Sequence, residues 1–299
     1  MQRTDWHGVM PAITTPLAED LSIDHVFLAT HVRMLADAGC TAIVTPGSLG
    51  EAGTLNAEER AELWKTCVEA VDGDIPVVAA ISSLATAHAV EYAKRAESEG
   101  CRGLMVLPPY AYVGNWAETR AHFNAIFQAT DLSCMLYNNP IAYGTDTTPQ
   151  QISILSREHE NLHAVKESSG DIRRVRAIKE ILGETLAIFV GIDDMIVEGI
   201  DAGAAGWIAG LVNALPEESI RLFQLACNGP RDEMEALYRW FLPLLRLDAV
   251  PEFVHLVNLV QQEFDMGSER VRLPRRPVEG AVREHALAVI AEAKRTRPS

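Results

Sequence analysis

Three short motifs carry side chains that could do chemistry together: Gly47-Ser48-Leu49-Gly50-Glu51, Tyr137-Asn138-Asn139-Pro140, and Lys166-Glu167 before Ser168-Ser169-Gly170. The lysine is the most informative. Only five lysines occur, and Lys65, Lys94, Lys179 and Lys294 lie in polar, helix-periodic stretches where a solvated ammonium costs nothing. Lys166 alone ends a short apolar run, immediately before a turn. Partial desolvation there favours the neutral amine, a nucleophile toward a ketone or aldehyde carbonyl. Tyr137 facing it could pass protons through the carbinolamine to the imine. The iminium is an electron sink through which an adjacent C–C bond breaks or forms, or a β-hydroxyl leaves. Gly47-Ser48-Leu49 offers the backbone N–H groups and small hydroxyl that a substrate carboxylate needs, because glycine lets the backbone come close. Each residue also has a plainer reading. Lys166 could snorkel from a strand end to Glu167 or Asp171, Tyr137 could pack a rim, and Ser48 could satisfy a turn. Asp193 and Asp194 could be acidic residues favourable to the helix that follows. The order and spacing of the three motifs, more than any one of them, points to chemistry.

The elements that must position these groups alternate. Short apolar runs at 8–15, 42–47, 76–82, 103–108, 134–138, 163–166, 186–191 and 206–213 are separated by amphipathic segments. Those segments span about 24–38, 57–72, 85–99, 116–129, 149–158, 172–182, 194–202 and 216–227, with Asn56 and Thr148 as plausible caps. Near-continuous apolar strands suit a parallel sheet buried on both faces. Eight strand–helix repeats predict an α/β fold, a (β/α)8 TIM barrel, over residues 1–228. A doubly wound open sheet is the alternative, but Thr14-Thr15-Pro16-Leu17 is no Gly-rich phosphate loop. After Gly229 the alternation stops. Helical patterns at 231–246, 250–264 and 278–295 predict a three-helix C-terminal extension over 229–299. In such a barrel, functional groups gather at the C-terminal ends of the strands. That rule places all three motifs on one rim, with the active site in the barrel portion.

Composition bounds the partners. A formal net charge of −15 leaves no basic stripe for nucleic acid or an anionic membrane. The N-terminal Met1–His7 has no apolar signal core, and no apolar run is long enough to span a bilayer. Five cysteines, odd in number and set far apart in apolar contexts, read as buried thiols of a reducing cytoplasm. No Cys-x-x-Cys pair occurs, and His25 and His31 miss the i, i+4 spacing of a helical site, so neither metal nor cofactor is expected.

The motif set resembles the dihydrodipicolinate synthase/N-acetylneuraminate lyase family of class I aldolases, from about Gly8 to Pro216. The resemblance implies that Lys166 is the Schiff-base lysine and Tyr137 the proton-relay phenol. It implies that Gly47, Ser48 and Leu49 hold the carboxylate of a pyruvate-like moiety, with Ile208 lining the same pocket. Ser168, Gly191, Asp193 and Asp194 match the family's substrate-tail contacts. It also implies a homo-oligomer, a tetramer or dimer, to which the apolar Trp240–Leu245 stretch could contribute as interface or core. The departures are specific. Leu49 stands where synthase members carry a second threonine, so one relay hydroxyl is missing. Ala111 stands where they carry a second tyrosine that reaches a neighbouring subunit's site, leaving Tyr110 or Tyr112 to compensate. Ala142 stands where they carry an arginine for the second substrate's carboxylate, an interaction worth roughly 1.5–3 kcal/mol. Gly210 stands where sialic-acid lyases have a serine. These features point to a catabolic lyase acting on a small 2-oxo acid, by retro-aldol cleavage or by dehydration or deamination through the iminium. The alternative within the family is dihydrodipicolinate synthase proper or N-acetylneuraminate lyase; a catalytically silent barrel binding an organic acid, and a metal-dependent aldolase using Asp193 and Asp194, are the competing classes.

Overall fold

Runs rich in valine, isoleucine, leucine and methionine become eight short parallel strands, seen in a computed structural model that describes residues 1–298. They are β1 (Gly8–Pro11), β2 (Ile43–Thr45), β3 (Val77–Ile81), β4 (Gly103–Val106), β5 (Ser133–Asn138), β6 (Leu162–Glu167), β7 (Ala187–Val190) and β8 (Gly206–Ala209). Every neighbouring pair is parallel, in the order β1-β8-β7-β6-β5-β4-β3-β2. The ring closes between β1 and β2 through a parallel bridge, Ala12 to Val44, with Thr41 N donating to Val9 O at 2.9 Å. Apart from half-buried His163, all strand residues are buried. This is why the runs read as continuous rather than alternating.

The barrel is a TIM barrel wrapped by α1 (His25–Ala38), α2 (Ala57–Val71), α3 (Thr86–Ser98), α4 (Trp116–Phe127), α5 (Pro140–Tyr143), α6 (Pro149–Glu158), α7 (Arg173–Leu182), α8 (Ile196–Asp201) and α9 (Pro216–Asn228). Reciprocal capping boxes start α2 (Asn56 with Glu59), α4 (Asn115 with Glu118) and α6 (Thr148 with Gln151). Each cap contributes about 1 kcal/mol and fixes where the helix leaves its loop. Three further helices follow: α10 (Arg231–Leu245), α11 (Phe253–Glu263) and α12 (Gly280–Arg295). In α10, Phe241, Leu244 and Leu245 are buried and Trp240 Nε1 donates to Ala293 O at 3.1 Å, so this apolar stretch packs inward and against α12. One hydrophobic core contains residues of the barrel and of these three helices alike.

Four differences from the sequence reading have physical causes. The last predicted strand, 206–213, stops at Ala209 because the Gly210 and Leu211 amides turn to donate to the Asp193 carboxylate. The first stops at Pro11, and Thr14 and Thr15 bond to Gln261 and to the Gly50 carbonyl instead. Helix α5 was absent from the pattern; four residues are too few for a periodicity, and Asn139 with Pro140 start it as cap and first residue. Cys40, Cys67, Cys101 and Cys134 are buried, but Cys227 is exposed. Among the described residues, no helix is long and apolar enough to cross a membrane.

Candidate active site

Register places the two central side chains. β5 and β6 pair Tyr137 with Lys166 and Asn138 with Glu167. Alternation along a strand sends the first pair to one face and the second to the other. Outside, Asn138 Nδ2 donates to Glu167 at 3.1 Å, and Asn138 Oδ1 accepts from Thr147 N at 2.8 Å. Glu167 also accepts from Ser169 N at 2.7 Å. The second residue of each Tyr-Asn and Lys-Glu pair therefore locks the register that aims the first one into the barrel. Inside, Lys166 is 6% exposed and its Nζ lies 4.3 Å from the centroid of the Tyr137 ring. The Tyr137 hydroxyl accepts from Asn139 Nδ2 at 3.0 Å.

Both side chains lie in the wall of a cavity of about 580 Å³, together with Gly47, Ser48, Leu49, Gly191 and Ile208. Gly47–Leu49 follow β2, and Gly50 needs its lack of a side chain: a Cβ there would lie 2.8 Å from the Ile13 carbonyl. Glu51, 2% exposed, turns back with φ 54° and accepts from Arg272 N at 3.0 Å and Arg275 at 3.4 Å. The last residue of the Gly-x-x-Gly-Glu motif thus clasps the segment between α11 and α12 to the barrel rim. Burial raises the Glu51 pKa, and the Arg272 amide and both arginines pull against that rise.

The sequence placed Tyr143 only in an apolar outer loop, Ile141-Ala142-Tyr143, and gave it no chemical role. Its ring meets that of Tyr137 edge-on, with centroids 5.8 Å apart, and its hydroxyl is hydrogen-bonded to Ser48 Oγ. Burial, then the Tyr137 phenol, push its pKa above the ordinary tyrosine value. Tyr143 ends α5, so Asn139 serves twice: as the cap of the helix that delivers Tyr143 and as the donor to Tyr137. Of the two tyrosines proposed to compensate for Ala111, Tyr112 is 55% exposed, and Tyr110 lines the cavity with its ring 6.3 Å from Tyr143. No periodic signal could have found Tyr143; its distance from Pro140 in a capped turn was the available clue.

The outer part of the cavity is mainly apolar, with Leu107, Ile141, Ala142, Ile192, Val250 and Phe253 in its wall. Residues beyond 228 contribute Asp248, Val250, Phe253 and Arg275, so the C-terminal helical portion shares the cavity wall with the 1–228 barrel. Three residues expected as tail contacts, Ser168, Asp193 and Asp194, are not in the cavity wall. Ser168 is buried behind the wall, 1% exposed, its Oγ without a hydrogen-bond partner. Asp193 is 0% exposed and bonds to Trp207 Nε1 (3.0 Å), Gly210 N (3.0 Å) and Leu211 N (2.9 Å). Burial lifts its pKa to about 6 against the opposing pull of those donors and of Lys166. Asp194 points toward Arg246 (3.7 Å), and its carbonyl accepts from the Tyr238 hydroxyl. Gly191 does border the cavity, and its lack of a Cβ is what lets Lys166 pass: a Cβ would sit 2.4 Å from Lys166 Cε. Among the described residues, no group of three or more His, Cys, Asp and Glu is placed to hold a metal ion.

Residues 5–293 match the dihydrodipicolinate synthetase family. The 4-hydroxy-tetrahydrodipicolinate synthase of Natronomonas pharaonis is 30% identical over 296 residues, covering 99% of this chain and 100% of that protein. Among solved structures, the 4-hydroxy-tetrahydrodipicolinate synthase of Methylacidiphilum fumariolicum SolV superposes with a TM-score of 0.92 at 27% identity, over 97% of this chain and 96% of that one. A dihydrodipicolinate synthase of Acinetobacter baumannii, solved with pyruvate bound, superposes with a TM-score of 0.91 at 26% identity, over 96% and 99% of the two chains.

Proposed function

Since the chain belongs to the dihydrodipicolinate synthetase family of aldolase-type lyases, we propose that Lys166 forms an imine with the carbonyl of a 2-oxo acid and that the enzyme cleaves or dehydrates its substrate through that imine. One observation carries the reading: Lys166, the only buried lysine among the described residues, is register-paired with an inward tyrosine at the base of a cavity whose rim is Gly47-Ser48. The amine of Lys166 attacks the carbonyl. Tyr137, Ser48 and Tyr143 carry protons to and from the carbinolamine oxygen so that it leaves as water. The backbone N–H groups of Gly47–Leu49 receive the substrate carboxylate. Tyr143 supplies, within the same chain, a phenol bonded to Ser48, which offsets the hydroxyl lost at Leu49. Gly191 keeps the space that Lys166 needs, and Ile208 gives the imine an apolar floor. Asp193 acts indirectly, by fixing the loop after β8.

The substrate's outer portion meets mainly apolar side chains, and Arg275 is paired with Glu51. A second carboxylate would find Ala142 rather than a cation. That favours cleavage or dehydration of a 2-oxo acid with an uncharged tail over the synthase activity that the relatives' names carry. Pyruvate, bound by the Acinetobacter baumannii relative, is the natural probe of the inner half. Self-association as a dimer or tetramer, and a cytoplasmic setting, belong to the same proposal. Borohydride reduction in the presence of pyruvate should add the ligand mass to the peptide containing Lys166, and Lys166→Ala should lose both the adduct and turnover. An unmodified Lys166 at saturating pyruvate, or turnover retained in Lys166→Ala, would overturn the reading.

A further inference from the structure

One acid, Asp248, faces the cavity without a part in the scheme above. The chain leaves α10 in a tight turn, with Asp248 N donating to Leu245 O at 3.1 Å and Ala249 N to Arg246 O at 3.2 Å. This turn brings the Asp248 side chain to the end of β8. Gly210 makes the approach possible, since a Cβ there would lie 2.5 Å from Asp248 Oδ1 and 2.9 Å from Cγ. The position that lacks a hydroxyl on the strand thus has a carboxyl delivered to it from the C-terminal helices.

Two carboxyls flank Gly210, in opposite situations. Asp193 is walled in and its oxygens are taken by the Trp207, Gly210 and Leu211 donors. Asp248 lines the cavity alongside Lys166, and its oxygens accept no hydrogen bond from any described residue. Asp248 is half-buried, with its carboxyl open to the cavity, so a ligand hydroxyl can supply the donor that the protein does not. Burial and then the neighbouring Asp193 raise the Asp248 pKa, and the charge on Lys166 opposes them. A protonated imine on Lys166 keeps a positive charge beside the cavity, and that charge favours ionised Asp248.

Ser48, Tyr137 and Tyr143 fill the wall beyond β2 and β5, whereas the wall beyond β7 and β8 offers Gly191, Ile192, Gly210 and Asp248. We propose that Asp248 accepts a hydrogen bond from a hydroxyl on C4 of the imine-bound substrate and is the general base for cleavage of its C3–C4 bond. This rests on Lys166 forming the imine. The C4–O–H proton passes to the Asp248 carboxylate, and the oxygen lone pair closes the C4=O double bond of the departing aldehyde. The C3–C4 electron pair becomes C2=C3, and the former C=N π pair settles on the lysine nitrogen as an enamine. Protonation at C3 and hydrolysis by one water, equal to the water lost on imine formation, release pyruvate and the free amine.

The test compares the wild-type enzyme with Asp248→Asn, Asp248→Glu and Asp248→Ala, using pyruvate and the aldol adducts of pyruvate with acetaldehyde and with benzaldehyde. Asp248→Asn, nearly isosteric, should still give the borohydride-trapped pyruvate adduct at Lys166. Its kcat for adduct cleavage should fall about 100-fold or more while KM shifts by only a few-fold. Asp248→Glu should recover part of the loss, and Asp248→Ala should match the asparagine variant. The assignment is overturned if Asp248→Asn cleaves within about threefold of wild type. It is also overturned if trapping and cleavage fall together, which marks a support of Lys166, or if wild-type enzyme traps pyruvate but cleaves neither adduct. Wild-type enzyme that does not trap pyruvate removes the imine reading itself, and this proposal with it.

Discussion

Replacing Gly191 by alanine should move Lys166 itself. The added Cβ would lie 2.4 Å from Lys166 Cε, 2.8 Å from Lys166 Cγ and 2.1 Å from Ser168 Oγ. The Ser168 hydroxyl can rotate away, but the lysine chain has no such escape without displacing Nζ. Ordinary contact begins near 3.4 Å, so Cε must retreat by about 1 Å. A misplacement of that size costs about 100-fold in a reaction needing a positioned nucleophile, or about 2.7 kcal/mol of barrier. The same overpacking should cost about 1–3 kcal/mol of stability. The assay is the rate of borohydride-trapped adduct formation with pyruvate, beside thermal unfolding to show a cooperative fold. Trapping within threefold of wild type, in a protein that unfolds cooperatively, would refute the claim that Gly191 sets the position of Lys166.

Tyr143→Phe should lower kcat about 10- to 100-fold, and Ser48→Ala by a similar factor; the double variant should be little worse than either, because the two hydroxyls act as one chain. Additive losses measured by steady-state turnover would show that they act separately. Glu51→Gln should lower stability by about 3 kcal/mol, read as a shift in urea midpoint, because it leaves Arg275 and the Arg272 amide without their carboxylate. An unchanged midpoint would dismiss the clasp. Asp193→Asn should destabilise more at pH 5 than at pH 7.5. The folded-state pKa of Asp193 is raised to about 6, so the native state holds a proton that the unfolded chain releases near pH 4. The stability linked to that proton is complete below about pH 4 and is lost as pH rises through 6, by roughly 1–2 kcal/mol between pH 5 and 7.5. Denaturant titrations of both proteins at the two pH values check the sign.

Sequence patterning was informative where burial is complete and local. The eight strands stood out because both faces of each are covered, and α2, α4 and α6 because each begins with its own capping residues. Lys166 and Tyr137 were legible because three motifs fell in order on strand ends. Asn138 and Glu167 then proved to be the outward partners that hold the register. What the sequence hid is tertiary. Asp193 and Asp194 are adjacent and chemically identical, yet one is an internal anchor for the loop after β8 and the other faces Arg246. Tyr143 gains its importance from Ser48, nearly a hundred positions earlier, and Asp248 from the missing Cβ of Gly210. Neither meeting leaves a period or a spacing to read.

Ser48, Tyr137 and Tyr143 come from a single polypeptide, so the string of hydroxyls around the imine is intact in an isolated copy. On the imine reading, the proton relay then needs no residue from a second copy. Specific activity should hold steady on dilution through any association equilibrium, and substitutions that split assemblies should change sedimentation while sparing turnover. A lineage built this way is free to gain or shed subunit contacts without rebuilding its reaction centre.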